Sequence, residues 1–271
     1  MRVSFQGERG AYGEEAVIGL FGQEVEPAPC RDFAEVFRSV AVGDTGAGVV
    51  PVENSQAGSI NETYDLLRNH DLFIQNEILL PVDHCLLALP GQEEADIETV
   101  YSHPQALAQC GEYIRKRGLQ AVATHDTAGS ARMIQEEGLE RSGAIASARA
   151  GEIYGLEVLA RNLQTIQDNY TRFFAIGPSP APKGEGPQRT ALVMATDHKP
   201  GALYRCLGVL AERDINLLKL ESRPSRARPW EYVFYLDFEG HRDDDRVRQA
   251  MADLADLTVF LKILGSFPRG S

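Results

Sequence analysis

Eleven consecutive residues, Gly177-Pro178-Ser179-Pro180-Ala181-Pro182-Lys183-Gly184-Glu185-Gly186-Pro187, constrain this chain more than any other stretch. Its prolines cannot donate to a helix or a sheet ladder, and its glycines resist a fixed backbone, so the segment reads as a linker. A chain of 271 residues is thereby cut into two parts of domain size. The expected organisation is a first domain over residues 1–178, a linker over 179–188 and a second domain over 189–271.

Before the linker, strand-like and helical runs alternate, the pattern of an α/β layer structure. Val3 to Gln6 reads as a strand, Ala11 to Phe21 as a helix, Pro27 and Pro29 as a turn, and Asp32 to Val40 as a helix. Gly46 to Val52 is a buried strand ending at Glu53-Asn54-Ser55, and Ser59-Ile60-Asn61-Glu62 fits a capping box before the next helix. The pattern restarts at Pro81, which predicts two similar lobes: lobe one from residues 1–80 plus 165–178, lobe two from 81–164. The expected fold is a two-lobed, periplasmic-binding-protein-like α/β domain with a cleft. After the linker the order strand, helix, strand, strand, helix, strand predicts an α+β, ferredoxin-like βαββαβ unit, its third strand running from Trp230 to Phe238.

Function classes narrow quickly. A net charge of −12 repels phosphate backbones and argues against nucleic-acid partners. Cys30, Cys85, Cys110 and Cys206 are scattered, without a C-x-x-C pair, and read as reduced core residues. No apolar run approaches signal-peptide or membrane-span length, so a cytoplasmic location with no membrane partner is expected. The six histidines lack metal-ligand spacing, and Gly7-Glu8-Arg9-Gly10 is neither a Walker loop nor G-x-G-x-x-G, so the expectation is no metal and no cofactor.

What remains is a set of strand-to-helix junctions: Gly7 to Gly10, Glu53-Asn54-Ser55 to Ser59, Ser102-His103, Thr124 to Thr127, and Ser147. In open α/β sheets such junctions line the ligand crevice, and helix N-termini suit carboxylates or phosphates. Helix caps use the same residue types without any ligand. The run Asp168 to Gly177 adds a strand on which Tyr170, Arg172 and Phe174 point one way and Thr171, Phe173 and Ala175 the other. Together these favour a small anionic ligand between two lobes.

Gly7 to Ala16, Pro51 to Ser55 with Gly58-Ser59, Ser102 to Leu107, and Asn169 with Thr171-Arg172-Phe173 resemble bacterial prephenate dehydratase. The C-terminal part resembles the regulatory ACT domain of that family, through Pro200-Gly201-Ala202-Leu203 and Glu221-Ser222-Arg223-Pro224. The resemblance implies a cofactor-free carbon–oxygen lyase of phenylalanine synthesis, converting prephenate to phenylpyruvate, water and carbon dioxide. It implies catalysis by the Thr171 hydroxyl as donor to the leaving group, with Glu53 as a relay if burial raises its pKa. Arg172 either anchors a carboxylate or braces the strand, and Phe173 dries the site. Asn54, Ser55, Ser102, His103, Gln105 and Asn169 are the implied substrate contacts, with Ser59 and Thr63 as helix-start and helix-face residues. Where the family usually carries a serine, this chain has Gly13.

For the second domain the resemblance implies L-phenylalanine as effector, bound near Gly201, Ala202 and Leu203 of one chain and Glu221, Ser222 and Arg223 of another. A sheet with one face uncovered suits self-association, and a homodimer or homotetramer is expected. Arogenate dehydratase is the nearest alternative activity, and a cytoplasmic solute-binding or sensor module the more distant one.

Overall fold

The computed structural model describes residues 1–224 and 232–270. The expected strand start at Trp230 and the terminal Ser271 lie outside them. Two compact units form, one from Met1–Thr63 with Ile78–Phe173, the other from Tyr64–Glu77 with the described residues from Phe174 on.

In chain order the first lobe comprises β1 (Arg2–Gln6), α1 (Tyr12–Phe21), β2 (Glu26–Cys30), α2 (Phe33–Ala41), β3 (Ala47–Asn54), β4 (Gly58–Ser59), α3 (Asn61–Asn69) and β5 (Phe73–Pro81). The second comprises β6 (Cys85–Ala88), β7 (Thr99–Ser102), α4 (Pro104–Gln109), α5 (Gly111–Arg117), β8 (Gln120–Ala123), α6 (Thr127–Glu137), β9 (Ser142–Ala146), α7 (Ala148–Tyr154) and β10 (Glu157–Ala160). The chain then returns through β11 (Tyr170–Gly177) to the first sheet, whose order is β2-β1-β3-β11-β5 with β4 hydrogen-bonded to β3. The second sheet runs β10-β6-β9-β7-β8.

Two elements differ from expectation for identifiable reasons. Glu26–Cys30, read as a proline turn, is a strand paired in parallel with β1. It lies at the sheet edge, where Pro27 and Pro29 need no ladder donor on the open side. Ser59 belongs to the short β4, in register with Glu53, and α3 starts two residues later at Asn61. Elsewhere the caps fall as the sequence suggests: Asp32, Asp126 and Ser147 each accept a backbone N–H at the start of α2, α6 and α7.

The C-terminal unit contains β12 (Gln188–Thr196), α8 (Ala202–Ala211), β13 (Leu217–Pro224), β14 (Tyr232–Glu239), α9 (Asp245–Leu257) and β15 (Thr258–Pro268), with sheet order β13-β14-β12-β15. This is the expected βαββαβ arrangement. Leu192, Met194, Leu236 and Phe238 of the sheet pack with Cys206, Leu210, Val247 and Leu254 of the helices. The unit also takes in Tyr64–Glu77. Lys262 Nζ donates to the carbonyls of Leu67 (3.1 Å), Arg68 (3.0 Å) and His70 (2.6 Å) at the C-terminal end of α3, where a cation suits the helix dipole. Gly265 permits the same packing, since a Cβ there would lie 2.3 Å from the Ile74 carbonyl oxygen.

Candidate functional site

Thr171 and Phe173, on one face of β11, open into a cavity of about 530 Å³ in the first unit. Asn54 at the end of β3, His103 and Gln105 at the start of α4, and His125, Asp126 and Thr127 at the start of α6 also line it. Both lobes therefore contribute the ends of strands and the beginnings of helices, as the junction pattern predicts. Gly7 and Gly13 are among the residues that line it from the first lobe. A Cβ at Gly13 would come within 3.1 Å of Phe5 Cδ2 and 3.2 Å of the Gln6 carbonyl, so the family's serine would fit here only after those neighbours gave way.

The Thr171 hydroxyl has a defined partner. Asn54 Oδ1 accepts from the backbone N–H groups of Gln56 (3.1 Å) and Ala57 (2.9 Å), which turns its Nδ2 toward Thr171 Oγ1 (3.0 Å) and Asn169 Oδ1 (2.8 Å). Asn169 Nδ2 donates in turn to Gln109 Oε1 (3.3 Å), and the same oxygen faces His84 Nε2 at 2.9 Å. His84 Nδ1 lies 3.2 Å from the Tyr12 hydroxyl, which donates to the Asp83 carbonyl (2.8 Å). Because Asn54 donates to Thr171 Oγ1, the threonine's own proton is left for a bound ligand.

Burial governs the titratable groups here. The His84 imidazole, 2% exposed, is held below its ordinary pKa by desolvation, opposed by its bond to Gln109. His103 is lowered mainly by desolvation, with Asp126 pulling the other way. Its Nδ1 accepts from the Gln105 N–H at 3.2 Å, which leaves Nε2 to carry the proton of the neutral ring. Burial also raises the Tyr12 phenol well above its usual value. Cys110 is fully buried and its thiol is pushed up to about 12 by burial, the behaviour of an inert filler. All four cysteines are free and buried.

Several expected site residues sit elsewhere. Glu53, one residue before Asn54 on β3, turns across the pleat and pairs with Arg172 Nη2 at 3.1 Å. Its side chain keeps 38% exposure, so the burial on which a relay role depended is missing, and it does not line the cavity. Arg172 is buried beside it, on the strand face opposite Thr171. Ser102 is fully buried and donates across the sheet to the Ile145 carbonyl (2.6 Å). Ser55 clasps the start of β11, accepting from Tyr170 N (3.0 Å) and donating to the Asp168 carbonyl (3.2 Å). Thr63 donates to the Pro51 carbonyl at 2.8 Å. Ser147 caps α7 and donates to the Gly10 carbonyl (2.7 Å), tying the lobes together. There Gly10 is required, for its φ is +85° and a Cβ would meet Ala150 Cα at 2.7 Å.

Sequence reasoning missed Arg31, Gln109, His84 and Tyr12 among the cavity residues. Gln109 was findable, since it follows Gln105 by four residues on one helix and so shares its face. His84 carried no signal. In the C-terminal unit, Gly201 stands at the N-cap of α8 with φ +78°, followed by Ala202 and Leu203. On β13, Glu221 pairs with Lys219 (3.3 Å) and Arg223 with Asp65 (3.1 Å), while Ser222 lies between them.

Known proteins resemble the chain along its length. The family model described as prephenate dehydratase matches residues 3–181, and that described as ACT domain matches residues 190–256. An Arabidopsis thaliana protein described as arogenate dehydratase/prephenate dehydratase 1, chloroplastic, is 41% identical over 283 residues, covering 99% of this chain and 72% of its own. The crystal structure of prephenate dehydratase in complex with L-Phe from Arthrobacter aurescens superposes with a TM-score of 0.91 at 31% identity, covering 99% of this chain and 90% of that one. A structure described as GqqA, a novel type of quorum quenching acylases, gives 0.90 at 36% identity, with 99% and 98% covered.

Proposed function

The chain belongs to the prephenate dehydratase family and carries an ACT domain, and from that premise we propose that its substrate is prephenate, converted to phenylpyruvate, water and carbon dioxide. One observation carries the reading: Thr171 Oγ1 accepts from Asn54 Nδ2, so its proton is the one available to a departing hydroxyl. As the ring carboxylate leaves as carbon dioxide, its bonding electrons enter the ring and the C–O bond opposite breaks. Hydroxide departs with a hydrogen bond or proton from Thr171, and aromatisation drives the step. A threonine hydroxyl is too weak an acid for this in water, so positioning and a dry wall such as Phe173 matter. Neutral amides and the His103 ring are suited to a substrate carboxylate, and Arg31, exposed and paired with Asp32, also lines the cavity. Acyl transfer would call for a base taking the Thr171 proton, whereas Asn54 presents a donor; the geometry therefore favours the lyase.

Arogenate, with an amine in place of the keto group, is the second reading. The carboxylates of Asp32, Glu62 and Asp126 on the cavity wall would suit an ammonium. Steady-state turnover on the two substrates side by side tests the choice: kcat/KM at least tenfold higher on arogenate would overturn the first reading. The reading also takes L-phenylalanine as effector at Gly201 to Leu203 and Glu221 to Arg223, a cytoplasmic location, and self-association of the C-terminal units. Tyr204 at 79% exposure, with Leu220 and Tyr232 half-exposed near the β13 edge, supports association. Light scattering that finds a monomer at micromolar concentration, with or without phenylalanine, would remove that part.

A further inference from the structure

We propose that His84 is a positioning residue for the reaction: its Nε2–H holds the Gln109 carboxamide so that Gln109 Nε2 meets the substrate and the amide chain behind Thr171 keeps its direction. The inference rests on the lyase reading of this cavity. It begins at Asn54, whose Oδ1 is committed to two backbone N–H groups. Nδ2 must then donate, and its acceptors are Asn169 Oδ1 (2.8 Å), Thr171 Oγ1 (3.0 Å) and, at 3.2 Å, the Tyr170 carbonyl. Asn169 is left with Nδ2 toward Gln109, which requires an oxygen there, and Gln109 Oε1 occupies that place. Since that oxygen also faces His84 Nε2 at 2.9 Å, the imidazole must carry a proton on Nε2. Each bond thus determines the sense of the next.

At the far end the Tyr12 hydroxyl has one proton, directed at the Asp83 carbonyl (2.8 Å), and it reaches His84 Nδ1 (3.2 Å) only by being shared or turned; the backbone of His84 is held separately, its N–H donating to Gln164 Oε1 at 3.0 Å. The ring therefore has little freedom to turn. Without it, Gln109 Oε1 keeps only the longer bond from Asn169, and the carboxamide can rotate to present its oxygen where a substrate carboxylate would sit. A donor would become an acceptor facing like charge. A misoriented group of this kind costs catalysis without emptying the site.

The test is a double-mutant cycle on prephenate turnover with His84→Phe, His84→Gln, Gln109→Ala and the His84→Phe/Gln109→Ala pair. The expected result is about a 10²-fold loss of kcat/KM for His84→Phe, most of it recovered in His84→Gln, whose amide can still donate, and no further loss when Gln109→Ala is added. Losses that multiply across the pair, or full activity in His84→Phe, would overturn the inference. Inactive wild-type protein would instead overturn the lyase reading. Should His84→Phe fail to fold, ¹⁵N imidazole shifts of the wild type decide: a proton on Nε2 at neutral pH supports the proposal, and one on Nδ1 alone overturns it.

Discussion

Two of the buried polar networks among the described residues are built from opposite materials. Behind Thr171 the links are neutral: asparagine, asparagine, glutamine and imidazole, each fixed in direction by its neighbour. In the C-terminal unit Arg189, 11% exposed at its side chain, lies 3.1 Å from Glu77 and 3.5 Å from Asp237, both nearly fully buried. The charged cluster joins β12 to β14 and β5, and its strength comes from desolvated ions that tolerate no loss of a partner. The neutral chain binds more weakly but offers no strong acid or base to take the threonine proton, so the hydroxyl remains a donor. A single residue step on β11 repeats the contrast, with Thr171 among amides and Arg172 against Glu53.

The comparison breaks first at Thr171. Replacing it with Ala should lower kcat/KM on prephenate by about 10²–10⁴-fold, while Thr171→Ser, which keeps the hydroxyl, should retain most of the activity. Full turnover by the alanine variant would remove the donor role. Next in size is Arg189→Met, which removes the cation shared by two buried carboxylates and should cost about 3–5 kcal/mol in urea unfolding. Adding Glu77→Gln should restore part of that, and the folded fraction should turn over prephenate at the wild-type rate. A loss under about 1 kcal/mol, the range of an exposed pair, would mean that the cluster is not structural.

Arg172 comes third, and here the structure sharpens a question the sequence left open between anchor and brace. Its pairing with Glu53 on the strand face away from Thr171 favours the brace. Glu53→Gln should leave substrate affinity within about threefold of wild type while lowering unfolding stability by about 1–3 kcal/mol, the cost of an underpartnered charged group. Substrate binding weakened about a hundredfold at unchanged stability would restore the anchor.

Pleat and helix parity explain what could be read in advance. The alternation of β11 put Thr171 and Phe173 together, and they line the cavity together. On β3 the same rule separates Glu53 from Asn54, but at a strand end no sequence signal says which of the two faces the ligand. Ser102 and Ser55 have the residue type of a ligand contact and the bonds of a scaffold, a distinction set by burial and partners. Pro27 and Pro29 argued against a strand because edge position is a property of the assembled sheet. The grouping of Tyr64–Glu77 with the C-terminal unit depends on Lys262 and Gly265, about two hundred residues away in sequence.

The smallest expected effect concerns proton uptake by the neutral chain. Burial lowers the folded-state pKa of His84, whereas the unfolded chain titrates near ~6.5. Between those values the unfolded state binds the extra proton, so stability is fully present above the unfolded pKa and declines as pH falls toward the folded one. His103 is shifted in the same direction and adds to the slope. The groups facing His84 are the Tyr12 hydroxyl and Gln109, with Asp83 opposing the shift by its charge. Subtracting the His84→Gln profile from wild type between about pH 7.5 and 5 isolates its share, which should approach at most about 1.4 kcal/mol per pH unit. A flat difference profile would mean that burial does not hold His84 back from protonation, and one that rises toward acid would mean that His84 protonates more readily in the folded protein, so that the chain behind Thr171 is not neutral there.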